Sequence, residues 1–209
     1  RMSSRSLRII YMGTPDFAVA PLQKLLQSGE KVIGVITAPD RPAGRGKKIR
    51  FSAVKQYLLD NHPHIPLLQP SNLKDSSFVE KVEALEPEIQ IVVAFRMLPE
   101  VIWQIPSKGT FNLHASLLPQ YRGAAPINHA LINGESETGV TTFMIVHKID
   151  TGSILMQERI SIGANENAGE LHDRLMEVGA NLVLKTVQGL TEGTLDSQSQ
   201  ENYLNQNVQ

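Results

Sequence analysis

The 209-residue chain contains no cysteine, few aromatic residues, almost no net charge and no long apolar run. The lack of cysteine excludes disulfides, thiolate catalysis and zinc sites built on cysteine. With 20 Lys and Arg against 21 Asp and Glu, the formal net charge is −1, so a polyanionic partner would need a local cationic patch. Because no apolar run approaches the roughly 18 residues of a membrane-spanning helix and no secretory cleavage region follows the amino terminus, we expect a cytoplasmic protein.

The hydrophobic content, 41% of the chain, is sufficient for one sizeable core. We expect a single large domain over 2–193. Residues 194–209 are rich in Gln, Asn and Ser, which is typical of a polar tail or the start of a linker.

Strand-like and helix-like segments alternate along the chain. A β-rich run over 7–12 is followed by helical spacing over 17–27, and the apolar run over 89–94 lacks alternation, as in a parallel strand covered on both faces. Further strands are predicted over 31–37, 66–68, 109–113, 138–146 and 153–162, and further helices over 52–59, 77–85, 125–132 and after a capping box of Asn167 and Glu170. This order predicts an α/β fold of the Rossmann-like kind, with an open, mostly parallel sheet and helices on both faces.

Two glycine-containing segments fall short of nucleotide-binding motifs. Gly13 follows the first strand, where a dinucleotide fingerprint begins, but Pro15 stands in place of the second glycine. The segment around Gly46 lacks both the earlier glycine and the Ser or Thr of a phosphate loop. Neither NAD nor ATP is therefore expected.

A loop over 39–50 (PDRPAGRGKKIR) concentrates positive charge. It carries a quarter of the chain's 20 cations, namely Arg41, Arg45, Lys47, Lys48 and Arg50. On a chain of nearly zero net charge, this pattern indicates a phosphate-binding surface. A solvated basic loop is the alternative on composition alone.

Asn112 and His114 lie two residues apart at the end of a predicted strand, so on an extended backbone their side chains leave the same face. An amide and a protonated imidazole both donate hydrogen bonds, which suits an oxygen that becomes negative when a carbonyl is attacked. The later Asp150 would keep the imidazole charged and help to move a proton. With no evident side-chain nucleophile, direct transfer between two bound substrates fits better than a covalent intermediate. A structural Asn–His pair is the alternative.

The segment NLHASLLPQYRGAAPI (112–127), with IDTG (149–152), resembles the 10-formyltetrahydrofolate-dependent formyltransferases. MGTPDFA (12–18) and PDRPAGRGKK (39–48) resemble the members of that family that act on methionyl initiator tRNA, and the similarity extends to about Gly193. The resemblance implies that Asn112, His114 and Asp150 are catalytic. It also implies tetrahydrofolate contacts for the segment Ser116, Leu117, Leu118 and Pro119.

The resemblance implies a reaction as well: 10-formyltetrahydrofolate, as co-substrate, would give its formyl group to the α-amine of methionyl initiator tRNA. The tRNA contacts would come from Arg41, Arg45, Lys47 and Lys48. Formyl transfer to a small amine, such as an amino sugar or glycinamide ribonucleotide, and a folate- or RNA-binding module without turnover are the alternatives. We expect a monomer without a metal and without membrane contact.

Two departures from the family pattern accompany the resemblance. Many members have an aromatic-Gly pair where this chain has Phe95-Arg96, which affects one wall of the folate pocket. The family also carries a linker and a small β-barrel domain after the catalytic domain, and we expect that barrel to be absent from this chain.

Overall fold

A computed structural model describes residues 5–46, 48–146 and 152–195. The chain divides into two compact units, Ser6–Thr110 and a second unit whose main part begins at Phe111. Two residues with predicted roles, Lys47 and Asp150, lie outside the described residues.

The described part of the amino-terminal unit contains six strands and four α-helices. In chain order these are β1 (Ile9–Gly13), α1 (Val19–Gln27), β2 (Val32–Ile36), β3 (Arg41–Ala43), β4 (Lys48–Arg50), α2 (Ala53–Asn61), β5 (Leu67–Leu68), α3 (Ser76–Ala84), β6 (Ile89–Val93) and α4 (Glu100–Trp103). Four of the strands form a sheet of order β5–β2–β1–β6, and each neighbouring pair is parallel.

The core of this unit explains its sequence patterns. Every residue of β1 and β6 is buried, which is why the apolar run of β6 shows no alternation. Gly13 ends β1 where the backbone is crowded, because a Cβ there would lie 2.5 Å from the Cβ of Ala18 and 2.9 Å from the carbonyl oxygen of Val93. The absence of a side chain at Gly13 therefore allows the end of β1 to pack closely against Ala18 and Val93.

The second unit contains β7 (Thr110–His114), α5 (Pro126–Ile132), β8 (Glu137–Met144), β9 (Ile154–Ser161) and α6 (Ala168–Glu192). β7 pairs with β8 and β8 with β9, both antiparallel. The predicted capping box at the start of α6 is confirmed: the Asn167 side chain accepts from the Glu170 N–H at 2.8 Å, and the Glu170 carboxylate accepts from the Asn167 N–H at 3.2 Å. Gly193 ends the helix with φ 71°.

The fold class predicted from the sequence is confirmed as Rossmann-like α/β, with parallel pairing throughout the described central strands of the first unit. The basic segment, expected to be a loop, is instead a short antiparallel hairpin of β3 and β4. Gly44 and Gly46, at φ 73° and 102°, make its turn. Among the described helices none has the length and apolar character to cross a membrane.

We predict that Gly139→Ala destabilises the second unit by at least about 2 kcal/mol, because this substitution overpacks a buried site. The added Cβ would lie 2.1 Å from the carbonyl oxygen of Glu158 on the paired strand, and backbone cannot move aside cheaply. Urea unfolding followed by circular dichroism measures the change. Gly163→Ala is the matched control: its Cβ would meet nothing closer than 3.5 Å, and a change within about 0.5 kcal/mol is expected. Equal stabilities of the two variants would contradict the packing argument.

Candidate functional site

Alternation along β7 places Asn112 and His114 on one face and Phe111 and Leu113 on the other. The apolar face packs closely on α6, where a Cβ at Gly179 would lie 2.8 Å from Leu113 Cδ2. On the polar face, Asn112 is half-buried and His114 is 8% exposed. The amide and the imidazole therefore project from a strand anchored on its other face.

The ring of His114 is held by the loop that follows β7. Its Nε2 lies 2.7 Å from the carbonyl oxygen of Tyr121. Because a carbonyl only accepts, Nε2 must carry a hydrogen, in either the neutral ring or the imidazolium. The ring also packs edge-on against Phe143, with centroids 6.4 Å apart. These contacts orient the imidazole without help from a ligand.

The segment Ser116–Pro119, predicted to contact folate, is fixed mainly by one buried hydroxyl. Thr141 Oγ1 donates to the Ser116 carbonyl at 2.6 Å and accepts from the Leu118 N–H at 3.2 Å and the Gln157 amide at 3.0 Å. Gln157 also donates to the Leu118 carbonyl at 2.7 Å. Sequence reasoning missed both of these residues, Thr141 in the buried middle of β8 and Gln157 on β9.

The side chains of this segment point largely inward. Ser116 is 0% exposed and donates to the Gln120 carbonyl at 2.7 Å, while Leu117 and Leu118 are 8% and 2% exposed. Pro119 is half-buried. A folate contact from this segment would therefore be made by backbone atoms and by Pro119, while the leucines support the loop from the core.

Asp150 lies outside the described residues, but the glycine that follows in the same motif is described. A Cβ at Gly152 would lie 1.6 Å from the carbonyl oxygen of Met144, and the Met144 N–H donates to the Ser153 carbonyl at 2.9 Å. The backbones of these two segments thus meet too closely for any side chain. The glycine of the motif has a steric role.

The hairpin over 41–50, hereafter the basic hairpin, sets cations against each other. Arg41 lies directly opposite Arg50, and Lys48 lies opposite Ala43. Arg45 is exposed in the turn. Like charges on paired strands repel, so this arrangement is unfavourable unless an anion lies against it.

A partly buried ion pair holds the base of the basic hairpin, and sequence spacing gave no sign of it. Lys55 Nζ contacts the two carboxylate oxygens of Asp40 at 2.9 and 2.8 Å and Gln69 Oε1 at 3.0 Å. Hydrogen bonds from Lys55 and then from Gln69 lower the pKa of the Asp40 carboxyl. The Lys55 ammonium also lies 3.9 Å from the ring centroid of Phe51. Both ends of the hairpin are therefore tied to one lysine.

A cleft of about 750 Å³ adjoins the basic hairpin. Its lining combines two cations of β4, Lys48 and Arg50, with Phe51, Asp16 and Gln56. The lining also includes Pro15, Ile49 and Ala53, so the cleft offers cationic, aromatic and apolar contacts together.

Arg96, at the departure from the family pattern, is fixed by backbone carbonyls. Its guanidinium donates to the carbonyl of Pro70 at 2.8 Å and of Ser71 at 3.1 Å. Partial burial lowers its pKa, with a further contribution from repulsion by Arg41. This arginine adds to the positive charge felt at the basic hairpin.

The family model for formyl transferases matches residues 7–187. The chain belongs to the formyl transferase family. The match includes the catalytic candidates of β7, the segment 116–119 and the basic hairpin. A formyl transferase is thus confirmed as the class expected from the sequence.

The relatives of this chain include methionyl-tRNA formyltransferases. The chain is 58% identical over 200 residues to the methionyl-tRNA formyltransferase of Bacteroides fragilis and 57% identical over 195 residues to that of Flavobacterium johnsoniae. These alignments cover 96% and 93% of this chain and 61% of each relative. The chain therefore spans less than two thirds of the length of these relatives.

Solved structures show the same fold. Glycinamide ribonucleotide transformylase 1 from Symbiobacterium toebii has a TM-score of 0.73 and 16% identity, with 90% of this formyl transferase and 89% of that chain covered. The N-formyltransferase of Helicobacter canadensis, solved with folinic acid and dTDP-3-aminofucose, has a TM-score of 0.72 and 26% identity, covering 93% of this chain and 67% of that one.

We predict that Thr141→Val lowers the free energy of unfolding by at least about 2 kcal/mol, because the change keeps the shape of the side chain but strips buried backbone groups of their partner. Thr191→Val is the control, since that hydroxyl donates only to the Val187 carbonyl one turn away in α6. Thermal unfolding of both variants measures the difference. A Thr141→Val protein as stable as the control would show that the loop finds other partners.

Proposed function

We propose that the chain is the formyl-transferring part of a methionyl-tRNA formyltransferase, with residues 2–193 as the catalytic domain. It moves the formyl group of 10-formyltetrahydrofolate to the α-amine of methionyl initiator tRNA. The observation that carries this proposal is the 58% identity to a methionyl-tRNA formyltransferase across 96% of the chain. Identity to the solved formyltransferases for other acceptors is much lower, 16% and 26%.

The reaction joins the methionine nitrogen to the formyl carbon and breaks the bond from that carbon to N10 of the folate. The amine loses a proton and N10 gains one, so no oxidant or reductant is needed. At the intermediate, negative charge develops on the formyl oxygen. The half-buried Asn112 amide donates to that oxygen, and the positive charge of a protonated His114 stabilises it.

Two acceptors orient the imidazole of His114 in this proposal. The Tyr121 carbonyl, 2.7 Å from Nε2, requires a hydrogen there. Asp150, brought in by the family motif, would favour a hydrogen on the other ring nitrogen and take part in the proton transfer. A ring with hydrogens on both nitrogens is the imidazolium that the reaction uses.

The proposed co-substrate is 10-formyltetrahydrofolate, and the family match and the folinic acid in the structure of the Helicobacter canadensis relative support this proposal. The segment Ser116–Pro119 is the proposed contact, through the backbone edge that Thr141 and Gln157 hold in place. The functional groups of the proposed site are an amide, an imidazole and a carboxylate, and the proposed chemistry uses these alone.

The acceptor tRNA is proposed to lie on the basic hairpin. Arg41, Arg45 and Lys48 supply charges for phosphates, and Lys47 is included from the sequence. Arg41 and Arg50 lie opposite each other and repel. A bound polyanion would relieve this repulsion, which favours the hairpin as the surface that binds tRNA. The adjoining cleft offers space for a nucleotide of the same molecule.

Formyl transfer measured with three acceptors tests the proposal: methionyl initiator tRNA, a nucleotide-linked amino sugar and glycinamide ribonucleotide. Turnover with the charged tRNA alone is expected. Turnover with a small amine in its place would identify a different acceptor class, and binding of folate and RNA without turnover would reduce the chain to a binding module.

We predict that Asn112→Ala lowers kcat by roughly 100-fold, since its amide stabilises charge that exists only in the transition state. Folate binding, measured by fluorescence titration, should stay within about twofold. Asn61→Ala, which removes a surface hydrogen bond to the Tyr57 carbonyl, is the control and should leave kcat unchanged. Near-normal turnover of Asn112→Ala would remove the amide from the mechanism.

Charge removal on the basic hairpin should affect one substrate only. Arg41→Ala or Lys48→Ala is predicted to raise KM for methionyl-tRNA and to reduce the slope of its salt dependence by about one. Lys81→Ala, an exposed lysine of α3, should change neither quantity. Equal effects on the tRNA and folate constants would mean that the hairpin does not serve the tRNA specifically.

A further inference from the structure

We propose that Tyr121 is a positioning residue for His114: its carbonyl holds Nε2 of the imidazole, and its own hydroxyl is held by Glu135 and Asn133. The catalytic consequence rests on the proposed function. The structural part, the choice of tautomer, does not depend on it.

The backbone of Tyr121 is in an uncommon conformation. Its φ is 56°, in the left-handed region that residues other than glycine rarely adopt. The same loop has further positive φ values at Gly123 and Ala125, 92° and 54°. Such a conformation persists only where the surroundings determine it. At Tyr121 the result is a carbonyl aimed at the imidazole.

The surroundings that hold Tyr121 lie at the other end of its side chain. The hydroxyl donates to Glu135 Oε1 at 2.6 Å and accepts from Asn133 Nδ2 at 3.0 Å. A hydrogen bond of this length to a carboxylate is among the stronger kinds. Consistently, the bond to Glu135 raises the pKa of the phenol, so the hydroxyl keeps its hydrogen.

Both partners are themselves fixed at the end of α5. The Asn133 N–H donates to the His129 carbonyl at 3.0 Å, and the Glu135 N–H donates to the Ala130 carbonyl at 3.1 Å. The helix end thus provides a firm attachment for the phenol ring.

Tyr121 is therefore fixed at two points, its hydroxyl at the end of α5 and its carbonyl at His114. The first half of the loop has its own support, since Ser116 Oγ donates to the Gln120 carbonyl and Thr141 holds the Ser116 carbonyl. In the second half, the hydroxyl of Tyr121 is held by Glu135 and Asn133. Releasing the hydroxyl lets the carbonyl turn away, and the imidazole loses the acceptor that selects hydrogen on Nε2.

The test is Tyr121→Phe, which keeps the ring and removes only the hydroxyl. Nitrogen-15 NMR of the imidazoles reports which nitrogen carries hydrogen, and His114→Gln assigns the His114 signals among the six histidines. At a pH at which the ring is neutral, the parent protein should carry the hydrogen on Nε2, and in Tyr121→Phe the signals should shift toward a mixture of tautomers. The value of kcat for formyl transfer should fall about tenfold, as expected for a displaced catalytic group, with both KM values within about twofold.

Two further variants sharpen the test. Glu135→Ala removes the carboxylate that accepts the hydrogen bond of the Tyr121 hydroxyl. It should shift the His114 signals and lower kcat as Tyr121→Phe does. Tyr57→Phe, on α2 in the other unit, should produce neither. Unchanged His114 signals in Tyr121→Phe and Glu135→Ala would overturn the proposal, as would shifted signals with unchanged kcat in an active enzyme. If the parent protein transferred no formyl group, the proposed function would fail, while the NMR comparison would still decide whether Tyr121 orients the ring.

Discussion

The loop that carries the candidate site depends on the hydroxyl of Thr141. A chain that leaves a buried strand must find partners for backbone groups that no longer pair in the sheet. One hydroxyl has one hydrogen to donate and two lone pairs to accept with, and at Thr141 the Ser116 carbonyl, the Leu118 N–H and the Gln157 amide use all three. A polar residue inside the sheet thus allows an irregular segment to be buried beside the catalytic candidates.

The basic hairpin is difficult to stabilise by itself, because its exposed charges repel and its strands are only three residues long. Its stability comes from the base, where Lys55 pairs with Asp40 and packs over Phe51. Since hydrogen bonding lowers the folded-state pKa of Asp40, the stabilisation is complete above the pKa of the unfolded carboxyl and is lost as the pH falls through the folded value. The described cations of the hairpin, Arg41, Arg45, Lys48 and Arg50, remain exposed.

The fold could be predicted because its signals are local: a non-alternating run for β6, a capping box at Asn167 for α6. The hairpin was missed since three-residue strands rich in cations have no apolar alternation. Thr141 and Tyr121 were missed for another reason. Thr141 bonds to the Ser116 carbonyl, 25 residues away along the chain, and the hydroxyl of Tyr121 bonds to Glu135, 14 residues away. A single sequence contains no information on which residues pair at such separations. The catalytic role of Asp150, which lies outside the described residues, stays a prediction.

The division of the chain suggests how one fold serves several acceptors. The groups proposed for formyl transfer lie in the second unit, on β7 and its loop, whereas the cations proposed for tRNA lie in the first, on the basic hairpin. Formyltransferases for a nucleotide-linked sugar and for glycinamide ribonucleotide share the fold with TM-scores of 0.72 and 0.73, so the fold itself does not select the acceptor. Selection must come from groups added to that fold. We propose the hairpin as such a group, since its charges are separate along the chain from Asn112 and His114 and can change without altering either residue.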